Sequence, residues 1–452
     1  HGVQTFADDL FTRPYLACFL ADAERLQGAW DRAWRGIEFA AELIARARAA
    51  EPAREDLRDL DLLLANTRCQ LELDWGLVDE ALASRQRIHE LLDQADIGPE
   101  SRIHLLQVDS GVALLAAQPE LLRGALSTLT AALDEPALFT DRATTRAEIA
   151  ARRAVLRYTL EDAEPAEERL SVAWMEQALG DARVDATWSF TLTMLLTRSA
   201  FAQGNLDDAG KWLSSFERRG VEGELAPLHR ALLAAWRARL ALARKAPHEE
   251  LVQHFGELKG LYAERIESWM KSPLRGGGRG TLRSRDYHAL LGALTELALE
   301  LEGPRRAADL FLEHQVCGSL ARQLNAPKGD LRQVQTELLQ PAVGLLLFVP
   351  SDIRVHLFVV DEKGVVPFEL PRVSGQTAKL RTLRNLLALP LGEQSEQRRV
   401  GVARDISALA DEIGRWVLPP EVRERMRGWH GAYLVGADVL GEVPFEALPY
   451  GK

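Results

Sequence analysis

The chain has 452 residues, more than one compact core at roughly 100 to 200 residues per domain, so two or more structural units are expected. It carries 55 lysines and arginines against 66 aspartates and glutamates, and a net charge of −11 argues against a bulk nucleic-acid or anionic-membrane binder. With 47 % apolar and 27 % charged residues the composition is that of a folded globular protein able to bury a large core.

No apolar run reaches the roughly 20 residues that span a bilayer, and the opening His1-Gly2-Val3-Gln4 lacks the basic-then-apolar pattern of a secretory signal. The missing initiator Met makes that opening read as a tag remnant or an internal cut. Three widely separated cysteines, Cys18, Cys69 and Cys317, supply neither a disulfide framework nor a thiolate metal site, and a cytoplasmic setting follows as the default.

From Leu10 to about Leu324 apolar residues recur with helical spacing, as in Leu57, Leu60, Leu64 and Leu71, or Leu105, Val108, Val112 and Leu115. No strand pattern stands out in this stretch. Breakers separate the helices: Gly98-Pro99, with Ser101 as the expected N-cap, and Gly303-Pro304. Four turns share one spacing, Gly28 with Ala33, Gly76 with Ala81, Gly204 with Ala209, and Gly303 with Ala308. A glycine can end the first helix in a left-handed conformation, and a small alanine lets the second helix pack closely on the first. Trp30, Val78 and Leu206 plug the first three turns, whereas Arg305 breaks that rule in the fourth.

On these turns residues 1–330 resemble the tetratricopeptide-repeat family, although the 48 residues from Gly28 to Gly76 exceed its usual 34 and imply longer helices or degenerate copies. The resemblance implies an α-α solenoid with a groove for a protein or peptide partner. The competing reading is a non-repetitive helical domain.

After the breaker cluster Asn325 to Asp330 the period changes. A short helix over Leu331 to Leu339 precedes β-rich runs at Leu345–Val349, Arg354–Val360 and Val365–Phe368, with Asp361 to Gly364 as a four-residue hairpin turn. Helical spacing returns at Leu380, Leu383 and Leu387, and again at Ile406, Leu409, Ile413 and Val417, with a polar loop over residues 392–397 between them. Pro419-Pro420 opens another short helix, Ala432 to Val435 form a strand, and Gly436 to Asp438 a turn.

The chain then reads Leu440, Val443, Pro444, Phe445, Glu446, Ala447, Leu448. This order of elements with that block, and with Gln335 to Leu339 upstream, resembles the CHAT domain, a caspase-like peptidase module commonly found behind tetratricopeptide arrays. The resemblance covers residues 331–452 and implies a mainly α protein: a tetratricopeptide-like solenoid followed by an incomplete α/β caspase-like domain. It further implies a cysteine endopeptidase whose strand-end His activates a strand-end Cys, with backbone N–H groups holding the oxyanion. In that family both residues follow the Pro-Phe-Glu-Ala-Leu block, so no catalytic residue is assigned here, the chain alone is expected to be inert, and its C-terminal remainder is an implied partner. Relatives of this architecture serve in bacterial immunity. The rival function is a non-catalytic interaction scaffold.

Other clusters carry weaker chemistry. His430-Gly431 precedes its strand, the reverse of a strand-exit catalytic His. His314 and Cys317 share a helix face, without the strand-end geometry of a dyad, and read as packing groups; Cys18 and Cys69 read as core. His248 and His254, flanking Glu249-Glu250, are six apart and cannot share one metal from adjacent turns. The glycine run Gly276 to Gly280 lacks the Lys-Ser/Thr of a phosphate loop; with Lys271, Arg275, Arg279, Arg283 and Arg285 around it, a local contact with an acidic partner or nucleic acid stays open. No cofactor or metal is assigned.

Overall fold

The computed structural model describes residues 12–26, 30–53, 56–74, 77–92, 98–164, 170–220, 227–270, 285–315, 331–337, 342–351, 354–371, 376–387 and 396–436, with the single positions 223, 225 and 339. The described chain is mainly helical and ends in a small mixed sheet. Seven helical hairpins come first: α1 (Thr12–Leu26) with α2 (Trp30–Ala50), α3 (Asp56–Asp74) with α4 (Val78–Leu92), α5 (Pro99–Ala116) with α6 (Pro119–Leu133), and α7 (Ala143–Ala163) with α8 (Ser171–Leu179). The last three are α9 (Ala186–Ala202) with α10 (Leu206–Arg218), α11 (Pro227–Ala243) with α12 (His248–Met270), and α13 (Arg285–Glu302) with α14 (Pro304–Gln315). Each first helix packs on its own partner, and also on both helices of the preceding hairpin, which is the neighbour-only contact scheme of a helical solenoid.

The first helices of the first six hairpins begin at Thr12, Asp56, Pro99, Ala143, Ala186 and Pro227, a step of 41 to 44 residues and longer than the tetratricopeptide unit, and the seventh begins at Arg285 after a longer step. Gly204 and Gly303 take the left-handed conformation at φ 73° and 89°. Ala33, Ala81, Ala209 and Ala308 are fully buried against the facing helix. Gly28 and Gly76 lie outside the described residues. Two further hairpins make the same left-handed turn without glycine, at Ala117 (φ 50°) and Lys245 (φ 55°). A repeat also shows in the buried carboxylates, since Glu72 and Glu161 each take an arginine four residues earlier, Arg68–Glu72 on α3 and Arg157–Glu161 on α7, at 2.8 and 2.6 Å.

Ser101 is not the N-cap of α5. The helix starts at Pro99, behind an extended Gly98, because proline's missing N–H and fixed φ suit the first helical position.

After α15 (Leu331–Glu337) come β1 (Val343–Pro350), β2 (Arg354–Asp361), β3 (Gly364–Pro371), α16 (Gln376–Leu387), α17 (Glu396–Val417), α18 (Pro420–Arg425) and β4 (Gly431–Gly436). The sheet order is β3-β2-β1-β4; the first three strands form an antiparallel meander, and β4 runs parallel to β1 with Leu345 beside Tyr433. The β2–β3 turn holds two residues, not four: Asp361 pairs with Gly364, and its Oδ1 accepts the N–H groups of Lys363 and Gly364 at 2.9 and 3.1 Å. Helix α17 begins inside the stretch expected to be loop, with Glu396 in its first turn; residues 325–330 and 388–395 lie outside the described part.

Alternation along the strands builds two cores. Leu345, Leu347, Val349, Phe358 and Val360 belong to one continuous core with α9 to α14, of which α13 and α14 lie directly on the sheet, while Leu346, Phe348, Val355, Leu357, Val359 and Leu370 share a second core with α16 to α18. The last hairpins of the array thus form one outer layer of a helix–sheet–helix sandwich. Full burial of each such Leu or Phe contributes about 1.5–3 kcal/mol.

Candidate functional site

The array meets the sheet where α13 crosses the end of β1. A Cβ built on Gly292 would stand 2.5 Å from the carbonyl oxygen of Pro350 and 3.1 Å from the Cα of Ser351, so only glycine admits this approach. One helical turn further, Glu296 reaches a pocket it shares with Arg239 of α11, His356 of β2 and Ser351. All four are buried, at 3 to 6 % exposure. Arg239 Nε donates to Glu296 Oε2 at 3.0 Å, its Nη2 donates to the carbonyl of Ala289 at 2.8 Å, and its guanidinium lies 5.3 Å from the Trp236 ring centre. His356 Nε2 is 3.2 Å from the other carboxylate oxygen, Glu296 Oε1.

Burial acts to raise the Glu296 pKa, but the Arg239 charge, together with hydrogen bonds from His356 and Ser351, outweighs it and holds the carboxyl well below the usual range. The residue types match a hydrolase triad, yet the order does not. The carboxylate stands in the middle and takes hydrogen bonds from both Ser351 and His356, whereas catalysis requires the imidazole between hydroxyl and acid. With every member under a tenth exposed, substrate cannot reach it. The cluster is a fastening between two layers.

A second knot closes the far end of β2. Asp361 Oδ1 accepts from Arg425 of α18 at 2.8 Å, the Asp361 carbonyl accepts from Gln335 of α15 at 2.9 Å, and Gln335 Oε1 accepts from Arg305 of α14 at 3.3 Å. Both outer layers therefore grip β2.

At the open side of the sheet, Trp429 lies on β1 where a Cβ on Gly344 would fall 2.0 Å from the ring, and the N–H of His430 donates to the carbonyl of Ala342 at 2.7 Å. Tyr433 and Leu434 of β4 are 50 % and 39 % exposed. Among the described residues β4 has one strand neighbour, β1.

The expected site residues distribute as follows. His430 is exposed and lies ahead of β4, with no thiol beside it among the described residues. His314 packs edge-on against Tyr262 at 5.0 Å, and Cys317 is outside the described residues. Cys18 and Cys69 are fully buried free thiols; burial pushes them up to about 11 and about 12 respectively, with Glu72 and Asp109 adding to the rise at Cys69. His254 contacts Glu250 at 3.9 Å, and no metal-competent group of His, Cys, Asp and Glu exists among the described residues. The glycine-rich basic segment 271–284 and the block Leu440, Val443, Pro444, Phe445, Glu446, Ala447, Leu448 lie outside the described residues.

Arg239, Glu296 and His356 escaped the sequence reading because they are separated by about sixty residues each; the available signal was a charge or imidazole inside otherwise apolar runs, as in Leu294-Thr295-Glu296-Leu297 and Val355-His356-Leu357. Among the described residues, no helix is long and apolar enough to cross a membrane. No family profile matches the chain, and no curated protein matches it in sequence.

Proposed function

We propose that this chain is the partner-binding tetratricopeptide-like array and the non-catalytic opening part of a CHAT-type cysteine endopeptidase acting in the cytoplasm, with a defensive role of the kind served by its bacterial relatives. The observation that carries the reading is the sheet: an antiparallel β1–β2–β3 meander, three helices packed behind it, then β4 added parallel to β1, with the Leu440 and Val443 to Leu448 block directly after. In the family, the His- and Cys-bearing strands extend that parallel edge. The apolar Tyr433 and Leu434 on the edge strand suit such a neighbour. The array would hold a protein or peptide and pass its presence to the sheet through the Arg239–Glu296–His356 fastening.

The test is a peptidase assay on the protein produced from its native reading frame. Self-cleavage or cleavage of a co-expressed partner, lost when the Cys that follows Leu448 is changed to Ala, is the expected result, and residues 1–452 alone should be inert. A native-length protein without such a His and Cys, or one whose cleavage survives the Cys→Ala change, overturns the reading in favour of an interaction scaffold.

A further inference from the structure

A cleft of about 330 Å³ opens between the end of α6, the outer face of α7 and helix α8. Two of its three arginines are engaged within the protein. Arg183 grips Asp181 with two hydrogen bonds of 2.8 and 2.7 Å, which hold the Asp181 carboxyl down to about 2, and Arg146 donates to the carbonyl of Leu133 at 3.3 Å. Arg152, next in sequence but facing away, donates to Glu148 at 2.8 Å. Arg153, the third, lines the cleft without a hydrogen bond or ion pair. Its Nε is shielded from water and meets no acceptor, and its guanidinium lies 4.4 Å from the centre of the Trp174 ring. Burial lowers the pKa of this guanidinium, and Asp134 at the end of α6 only partly opposes the effect.

A guanidinium offers five N–H donors in a planar fork, and shielding one of them from water without an acceptor, as at Arg153 Nε, is costly. Such a residue is accounted for when a ligand brings the acceptors. The walls indicate what kind. Ala147, Ala150 and Ala178 are small and apolar, which leaves room for a methylene stem between α7 and α8, and the face of Trp174 fixes the plane of the fork. With Asp181 and Arg183 paired to each other, Arg146 and Arg153 still outnumber the remaining aspartate, Asp134.

We propose that this cleft seats the side-chain carboxylate of a glutamate in an acidic peptide segment, with Arg153 as its two-pronged partner. This assignment goes beyond the peptidase reading and can fail independently of it, because its test uses binding alone.

The test is calorimetric titration of residues 1–452 with the end-blocked peptide acetyl-Gly-Gly-Glu-Gly-Gly-amide, its Gln counterpart and inorganic phosphate. The Glu peptide should bind saturably and the Gln peptide at least about tenfold more weakly, since a charge-assisted pair contributes a tenfold effect or more. R153Q should abolish the preference for Glu, and R153K should restore part of it. R153M should bind no Glu peptide yet melt at or above the parent temperature, because it removes an unpaired cation, whereas a merely structural arginine would lower the melting temperature. Equal binding of the Glu and Gln peptides, unchanged binding by R153Q, or a melting temperature lowered in R153M overturns the proposal. Phosphate binding as tight as the peptide overturns the choice of a peptide carboxylate.

Discussion

Changing Glu296 to Gln removes one charge from the junction and leaves Arg239 in place. That guanidinium is 3 % exposed and would keep the Ala289 carbonyl at 2.8 Å and the Trp236 ring while losing its carboxylate. Breaking a buried pair in this way costs about 3–5 kcal/mol, because the surviving charge stays uncompensated. Replacing both members with apolar residues of similar size, Arg239→Met with Glu296→Leu, should recover most of that loss. The assay is thermal and urea unfolding of the four species of the double-mutant cycle, together with hydrogen exchange at β1 and β2. The pH dependence follows from the lowered Glu296 pKa. The stabilisation is complete above the unfolded glutamate value of about 4.3 and is lost as pH falls toward the folded value. The parent should therefore lose stability in acid more steeply than Glu296→Gln. Single variants costing less than about 1 kcal/mol, or a double variant as unstable as the sum of the singles, would refute the claim that the pair is energetically coupled.

Four further outcomes are expected. Gly292→Ala drives a methyl against the Pro350 carbonyl and should cost about 1–3 kcal/mol in urea unfolding, whereas Gly256→Ala, with nothing within 4 Å on the exposed face of α12, should gain up to about 1 kcal/mol. Gly344→Ala displaces Trp429 and should speed amide exchange at Leu434 and Val435, which depend on the β1–β4 pairing. Ala117→Gly relieves a left-handed alanine at a helix end and should raise stability by about 0.5–1 kcal/mol in thermal unfolding, with unchanged helical circular dichroism.

Much of the α/β part was legible because strand signals are local. Leu345 to Val349 and Arg354 to Val360 are nearly unbroken β-branched, leucine and phenylalanine runs, and the structure extends each by no more than two residues at an end. The hairpins were only partly legible. Searching for glycine found Gly204 and Gly303 but missed Ala117 and Lys245, where tertiary packing enforces a left-handed turn that the residue itself disfavours. At the junction only the odd polar residue in an apolar run was legible, as at Glu296 and His356. Arg239, Glu296 and His356 come together only when α11, α13 and β2 are stacked, and nothing local in any of the three segments announces its partners. Arg153 has the same character, since its isolation is a property of what surrounds it in space.

The shared core of the last hairpins and the sheet sets the unit in which this protein can be cut or exchanged. The pattern of residues shifts near position 330, but Leu345, Leu347, Val349, Phe358 and Val360 rest on helices that come well before it. A fragment started at Leu331 would present a bare oily plane to water, whereas one started ahead of Ala186 would carry its own lid. Anyone grafting this sheet behind a foreign sensor must transplant α9 to α14 with it, leaving the earlier hairpins as the exchangeable part.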